Sequence, residues 1–106
     1  MMKNTFRTYD LAVEFYRLST GLELRGDARD QLSRAARSIV LNLAEGRGKR
    51  TRTDQLRFFR IAFGSLRECQ AILELEFLGD TRAGRKLHEL GGALYRLIQN
   101  AIEPPF

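Results

Sequence analysis

The fold is decided by the central stretch of residues 31–73, QLSRAARSIVLNLAEGRGKRTRTDQLRFFRIAFGSLRECQAIL. Apolar residues recur at helical spacing on both sides of a break that contains two glycines, Gly46 and Gly48. Such spacing predicts two amphipathic helices joined by a short turn. Because this turn is rich in cations, its residues either bind an anion or only mark where one helix ends and the next begins.

The same periodicity continues outward from this stretch and predicts four helices, at approximately 9–23, 28–46, 53–78 and 81–101. No segment alternates with period two for long enough to predict a strand. Four amphipathic helices with short links are typical of an antiparallel up-down four-helix bundle, so we predict an all-α protein with residues 1–106 in one domain. The apolar stripes of the four predicted helices are Leu11, Ala12, Phe15, Leu18 and Leu22; Leu32, Ala35, Ala36, Ile39 and Leu43; Leu56, Phe59, Phe63, Leu66, Leu73 and Phe77; and Leu87, Leu90, Leu94, Leu97 and Ala101.

Polar residues and glycines mark the ends of the predicted helices. Gly26 ends the first helix, and Asp27 is a candidate N-cap for the second. Thr51 or Thr53 is a candidate N-cap for the third. At approximately 26 residues, this third helix would be roughly 39 Å long and would extend beyond its neighbours.

The predicted third helix has a wide apolar surface. Phe58, Ile61 and Ile72 lie outside its main stripe. A single small bundle has few neighbours to cover such a surface, and exposed apolar patches usually mark interfaces. We therefore expect the protein to self-associate, with Gly64 and Ser65 allowing a close approach between helices.

The inventory of reactive side chains argues against catalysis. The chain has one cysteine, Cys69, and one histidine, His88. An internal disulfide, a zinc site and a carboxylate-bridged di-metal site therefore all lack the residues that they need. The segment GRGKRT lacks the first glycine and the hydroxyl residue of a nucleotide-binding P-loop. We predict no catalytic residue, no metal and no cofactor, and a protein that is not an enzyme.

The N-terminal segment and the lengths of the apolar runs indicate the cellular compartment. No apolar run approaches the ~20 residues of a membrane span, and the N-terminal segment MMKNTFRTYD has no signal-peptide core. A lone cysteine fits a reducing environment. These features favour a cytoplasmic protein that does not associate with membranes.

Positive charge is concentrated in the middle of the chain. The net charge is +5. Residues 25–67 carry eleven Lys or Arg against four acids, whereas the remainder carries seven against nine. This asymmetry indicates an anionic partner that contacts the middle of the chain, although a solvated arginine-rich face would give the same count.

Four cations, which we call the turn cations, follow the helix break: Arg47, Lys49, Arg50 and Arg52. Guanidinium groups match phosphate oxygens, and no aromatic residue interleaves with these four, since Phe58 and Phe59 fit the core. We therefore expect contact with RNA or DNA phosphates and little reading of bases. Arg57 and Arg60 on the third helix and a pair on the second could lie on the same side, so the candidate nucleic-acid-binding residues are Arg34, Arg37, Arg47, Lys49, Arg50, Arg52, Arg57 and Arg60.

Three residues beside the break are interpreted as a structural latch: Asn42, Glu45 and Gly46. A carboxylate near a helix C-terminus opposes the helix dipole, so Glu45 should have a compensating partner. We expect this partner to be a backbone N–H at the start of the third helix or a nearby arginine. Gly46 suits the left-handed position that ends many helices. A catalytic or ligand role for these residues is the alternative.

The central residues also resemble a known family. The stretch 31–73 is similar to the four-helix-bundle proteins that include the ribosomal RNA intervening-sequence proteins and the accessory variability determinant of diversity-generating retroelements. The first predicted helix, with YDLAVEFYRLS, fits this family loosely. The resemblance is carried by Gln31, Leu32, Arg34, Ala35, Ala36, Ser38, Ile39, Asn42, Ala44, Glu45 and Gly46, then by Phe59, Ile61, Ala62, Gly64, Ser65, Leu66 and Glu68.

The resemblance implies a four-helix up-down bundle that assembles into a ring, which is a homopentamer in the characterised retroelement member. It also implies nucleic-acid binding through a basic surface and, in the retroelement setting, partnership with a reverse transcriptase. We therefore expect an oligomeric, non-enzymatic protein that binds RNA or DNA. The alternative is a protein-interaction adaptor whose basic face binds an acidic protein.

Overall fold

The computed structural model describes residues 3–102, with side chains described for residues 7–101. These residues form four helices: α1 (Lys3–Thr20), α2 (Gly26–Arg47), α3 (Arg52–Leu75) and α4 (Arg82–Ile102). Each helix packs against two neighbours in the cyclic order α1, α2, α3, α4. No strand occurs within residues 3–102. The prediction of an all-α four-helix bundle is confirmed.

Contacts between neighbouring helices run in opposite directions along the chain, as an antiparallel bundle requires. In the α2–α3 pair, Ser38 Oγ lies 2.7 Å from Ser65 Oγ, while the end of α2 at Gly46 meets the start of α3 at Phe59. In the α1–α4 pair, Arg7 reaches Glu89 and the later Glu14 reaches the earlier Lys86. The molecule is consequently elongated, with extents of 45 × 20 × 18 Å.

One apolar cluster fills the space between the four helices. It contains every residue of the stripes predicted for the second helix, and for the fourth helix as far as Leu97. Burial of these stripes contributes a favourable free energy of about 25 cal/mol for each Å² of apolar surface removed from water. This is the main favourable term in folding. The largest side chains that are almost wholly buried are Phe15, Phe59, Leu32, Ile39, Leu43, Leu66, Leu73, Leu87, Leu90 and Leu94.

The predicted boundary between the first two helices was wrong. Helix α1 begins at Lys3 and ends at Thr20, rather than spanning 9–23. Gly26 opens α2 with a φ of 57°, a left-handed angle that glycine adopts without steric cost. The N-cap of α2 is Arg25, whose side chain makes no capping bond, so Asp27 is not the cap. Asp27 lies instead in the first turn, where its carboxylate favours the helix dipole.

Helix α3 begins as predicted but ends earlier. The side chain of Thr51 accepts a hydrogen bond from the backbone N–H of Asp54 at 3.1 Å, which identifies Thr51 as the N-cap. The helix has 24 residues against 22 in α2, so it does not extend far beyond its neighbour. Phe77, which was assigned to its apolar stripe, lies beyond its end and is 93% exposed.

The end of α3 is closed by a pair of backbone hydrogen bonds. Phe77 N donates to Glu74 O at 3.2 Å, and Leu78 N donates to Leu73 O at 2.8 Å. This is the Schellman arrangement, in which the residue that makes the first of these two bonds has a left-handed backbone. Phe77 occupies that position with a φ of 59°, where glycine is the usual residue.

Candidate nucleic-acid interface

The turn between α2 and α3 is held in place by its own backbone. Gly48 N donates to Glu45 O at 3.2 Å, and Lys49 N donates to Gly46 O at 3.1 Å. From the other side, Gln55 Nε2 donates to Lys49 O at 3.1 Å. Because both helix ends bond to the same short turn, its cations are presented on a defined backbone.

Gly46 permits the closest approach between α2 and α3. A Cβ atom at this position would lie 2.7 Å from Phe59 Cε1 and 3.0 Å from Phe58 Cβ. The predicted role of Gly46 as a left-handed helix terminator was wrong. It is buried inside the last turn of α2, and the helix is capped by Gly48 with an ordinary φ of −84°. Gly46 is needed because a side chain would displace the ring of Phe59, which is buried against α2.

Lys49 is the compensating partner of Glu45. Its Nζ lies 3.2 Å from Glu45 Oε2. The predicted partners of this carboxylate, a backbone N–H of α3 or an arginine, were therefore wrong. The pair is exposed at its carboxylate end, where such ion pairs contribute little to stability. The Lys49 ammonium also lies 5.2 Å from the centre of the Phe58 ring. Lys49 is therefore partly engaged in holding the turn.

Phe58 differs from the sequence expectation. It is only partly buried, and its ring centre lies 5.1 Å from the Arg57 guanidinium as well as 5.2 Å from the Lys49 ammonium. Phe59, by contrast, is a core residue with 1% exposure. An aromatic ring therefore does lie among the basic residues, and the cation–π contacts orient two of them.

Asn42 belongs to a polar ladder between α2 and α3. Its Nδ2 donates to the Ser38 carbonyl oxygen at 2.9 Å and to Ser38 Oγ at 3.1 Å. Ser38 Oγ in turn hydrogen-bonds to Ser65 Oγ across the helix pair. These three residues connect the two helices through satisfied polar groups. The latch is thus two separate devices, the ladder at Asn42 and the packing at Gly46, with Glu45 joined to Lys49 on the surface.

Three candidate cations of the turn and α3 form neither an ion pair nor a ring contact among the described residues. Arg50, Arg52 and Arg60 are exposed and form no ion pair within residues 7–101. The remaining turn cation, Arg47, has its guanidinium 5.9 Å from the ring centre of Tyr9 on α1. The guanidinium groups of Arg50, Arg52 and Arg60 keep their donors for phosphate oxygens.

The pair on α2 lies away from the turn. From the level of the Ser38–Ser65 bond, at 1.5 Å per residue, Arg37 lies about 9 Å from Arg60 along the bundle axis. By the same measure Arg34 lies about 18 Å from Arg57. The structure therefore groups Arg57 and Arg60 with the turn cations, whereas Arg34 lies in the other half of the molecule.

Two arginines from the ends of the chain join the turn. Because α1 begins and α4 ends where α2 meets α3, Arg7 and Arg96 lie in the same half of the bundle as the turn cations. These two arginines are not among the predicted binding residues, since they are 89 positions apart in the sequence. The antiparallel order of the helices was the signal that could have identified them.

Charge is consequently polarised along the long axis. The half formed by residues 7–11, 37–63 and 92–102 carries nine Lys or Arg against three acids, a net charge of +6. The half formed by residues 12–36 and 64–91 carries eight against nine, a net charge of −1. We call the positive half the basic end. Its field would attract a polyanion toward one end of the molecule.

The remaining candidates for chemistry are inert or dispersed. Burial, with a smaller contribution from Glu68, raises the pKa of the Cys69 thiol to about 12, so the thiol stays protonated at neutral pH. No three His, Cys, Asp or Glu residues lie close enough to hold a metal ion in the part of the chain that the structure describes. Among the four described helices, none is long and apolar enough to cross a membrane.

These features define a class of protein, the small antiparallel four-helix bundle with a basic end. Residues 4–98 match the profile of the family described as 23S rRNA-intervening sequence protein. Because this match covers most of the sequence, the chain belongs to that family, and the resemblance noted from residues 31–73 is confirmed.

A solved structure has the same fold. It is the crystal structure, at 1.70 Å resolution, of a protein with unknown function from the S23 ribosomal protein family of Bacteroides thetaiotaomicron. The two chains superpose with a TM-score of 0.80 at 21% identity, over 91% of this chain and 98% of the other. No curated protein sequence matches the chain. At this level of identity the likeness concerns the fold alone.

Proposed function

We propose that this protein is a non-enzymatic, cytoplasmic nucleic-acid-binding protein that contacts the phosphate backbone of structured RNA through its basic end. The observation that carries the proposal is the charge polarity, with a net charge of +6 in one half of the bundle and −1 in the other. Family membership favours RNA over DNA, because the family is described by its link to 23S rRNA intervening sequences.

The arrangement of donors favours phosphate over base recognition. Arg50 is exposed in the turn, and Arg52 and Arg60 are exposed on the first three turns of α3. The one aromatic ring among the described turn cations, Phe58, is partly buried and already contacts Lys49 and Arg57. Phosphate contacts of this kind supply affinity and orientation, whereas sequence is read by contacts with base edges. The RNA partner would therefore be recognised by its shape and charge.

Self-association is the second part of the proposal. A ring of bundles, for which the family resemblance suggests five subunits, would repeat the basic end around an axis. Several weak contacts on one RNA would then act together and raise the overall affinity. Partnership with a reverse transcriptase stays a prediction of the resemblance alone.

The proposal is tested by a salt titration of binding to a structured RNA and to duplex DNA. If about six phosphates are engaged, affinity should fall about a thousandfold between 50 and 200 mM salt. The double variant Arg50→Gln/Arg52→Gln should weaken binding to all sequences and flatten the salt slope by about two units. Lys49 is left intact because it also holds Glu45 and Phe58.

A matched control removes the same charge from the other half. Arg17→Gln/Arg82→Gln changes two exposed residues at the end of α1 and the start of α4. This variant should keep the slope of the parent, which separates a local contact from a general effect of net charge. Binding of neither nucleic acid by the parent would contradict the proposal and favour the adaptor that binds an acidic protein.

A further inference from the structure

A small polar pocket lies between α1 and α4 in the basic end. Its volume is about 170 Å³. This is well below the ~300 Å³ at which pockets begin to enclose drug-sized ligands, so it suits one small group. The pocket is lined by Arg7, Thr8, Ala93, Arg96, Gln99 and Asn100.

The described residues of the lining are mainly hydrogen-bond donors, and none of them is a carboxylate. Two guanidinium groups come from different helices, and the side-chain amides of Gln99 and Asn100 add further N–H donors. Thr8, with 1% exposure, and Ala93, with 7%, are the buried residues of the lining. Such a set of charged and neutral donors suits a tetrahedral oxyanion, whose oxygens accept from several directions.

Each arginine is positioned by contacts at the edge of the pocket. Arg7 Nη2 lies 3.2 Å from Glu89 Oε2, which engages part of the guanidinium and leaves other N–H groups. Glu89 is itself held by Lys86 Nζ at 3.1 Å. Arg96 Nη1 lies 3.5 Å from where a Cβ would stand on Gly92, so this guanidinium lies along α4. In the described residues Arg96 has no carboxylate partner of its own.

We propose that this pocket is a phosphate-binding site that receives one backbone phosphate of the bound RNA. It lies on the α1–α4 side of the basic end, whereas the turn cations lie on the α2–α3 side. An RNA that contacts both would bend around the end of the bundle. The identification of the phosphate as part of an RNA depends on the proposed function, but binding of phosphate to the pocket does not.

The first arm of the test uses inorganic phosphate and no RNA. The ¹⁵N-labelled protein is titrated with phosphate at constant ionic strength, and the side-chain amide signals of Gln99 and Asn100 are followed by NMR. These signals should shift saturably in the parent and in Arg82→Gln, a control with the same charge loss at the other end of α4. In Arg96→Gln the affinity should fall about tenfold, the loss of one charged hydrogen bond. Absent shifts, or equal affinity in Arg96→Gln, would overturn the proposal.

The second arm measures the salt dependence of RNA binding for the same proteins. Arg96→Gln should flatten the slope by about one unit, whereas Arg82→Gln should not. If the parent binds RNA and Arg96→Gln has the parent's affinity and slope, the pocket is not an RNA subsite although the proposed function stands. If phosphate binds the pocket but the parent binds no RNA, the proposed function fails and the assignment to RNA fails with it.

Discussion

Gly46 is the residue at which α2 and α3 come closest, and it provides a direct test of packing. Replacement by alanine would place a methyl group 2.7 Å from a ring carbon of Phe59, a core residue with 1% exposure. Because the ring cannot move without disturbing the core, Gly46→Ala should destabilise the protein by about 1–3 kcal/mol. Urea unfolding at equilibrium would measure this change.

The matched control is Gly64→Ala on α3. A Cβ at Gly64 would have nothing within 4 Å, so the substitution should stabilise the helix by roughly 0.5–1 kcal/mol through backbone entropy. Opposite signs for the two glycines are therefore expected. A neutral or stabilising Gly46→Ala would show that the close approach is not required.

Phe77 is the second residue whose backbone matters more than its side chain. It has a φ of 59° at the end of α3 and is 93% exposed, so the ring has little packing to lose. A left-handed backbone costs an L-residue roughly 1–2 kcal/mol, and glycine avoids this cost. Glycine also increases the conformational entropy of the unfolded chain, which cancels part of the gain in stability. Phe77→Gly should therefore raise stability by about 0.5–1 kcal/mol in thermal or urea unfolding.

Phe77→Ala separates the two causes, because alanine removes the ring and keeps the left-handed strain. It should leave stability close to that of the parent. An equal gain from alanine and glycine would mean that exposure of the ring, and not the backbone angle, is the source of the effect.

At the scale of the elements, α1 and α4 are joined by a chain of charges. Lys86 Nζ lies 3.1 Å from Glu89 and 3.4 Å from Glu14, and Glu89 also pairs with Arg7. The hydrogen bond from Lys86, followed by the charges of Lys86 and Arg7, lowers the pKa of Glu89 below its usual 4.5. The hydrogen bond to Glu89, and then the hydrogen bond to and charge of Glu14, raise the pKa of Lys86 above its usual 10.5.

The sign of the pH dependence follows from these directions. A carboxyl whose folded pKa is lowered stabilises the protein above its unfolded pKa, and this contribution is lost as pH falls through the folded pKa. Glu89→Gln should therefore be less stable than the parent near neutral pH, and the difference should shrink as the pH falls below 4.5 and through the lowered folded pKa of Glu89. Thermal unfolding from neutral pH to below 4.5 would measure this loss. Glu23→Gln, an exposed carboxylate with no ion pair in the described chain, should show no such convergence.

Repeating apolar residues predicted the elements well because helix faces depend on local spacing. The stripe from Leu32 to Leu43 is buried throughout, and Thr51 caps α3 as one of two candidates. Contacts between helices were harder to predict. Glycine is a common residue at the end of a helix, yet the role of Gly46 depends on the ring of Phe59, thirteen residues later in the chain. Phe77 continues the apolar spacing but lies beyond the helix that the spacing indicated.

At the scale of the whole molecule, the basic end combines residues from all four helices. The turn cations could be read from consecutive positions, since four of them lie within six residues. Arg7 and Arg96 could not, because only the antiparallel order of the helices brings them to the same end. The separation of Arg34 from the turn has the same cause, since α2 directs its first half toward the opposite end.

The structure changes which residues are expected to mediate self-association. Ile72 is 7% exposed and Phe58 is partly buried, so the bundle itself covers much of the wide apolar surface predicted for α3. Ile61 remains 45% exposed and Leu41 on α2 is 55% exposed. Each lies about one helical turn from the Ser38–Ser65 bond, on the side toward the turn, so the two are level with one another.

We expect the surface of Leu41 and Ile61 to be the interface of the ring. Leu41→Glu/Ile61→Glu places two carboxylates where a partner subunit would exclude water, so the oligomer should dissociate while the monomer stays folded. Light scattering coupled to size exclusion, at micromolar concentration, would measure the mass, and circular dichroism would report helix content. The parent should have the mass of an oligomer, with five subunits expected from the resemblance.

The control is Leu75→Glu/Phe77→Glu, which changes two side chains of greater exposure, 75% and 93%, at the opposite end of the bundle. It introduces the same charge into an apolar surface that lies outside the proposed contact between subunits at Leu41 and Ile61. Its mass should remain that of the parent. Dissociation by this control together with an intact Leu41→Glu/Ile61→Glu oligomer would move the interface to the end of α3, and a monomeric parent would exclude a ring altogether.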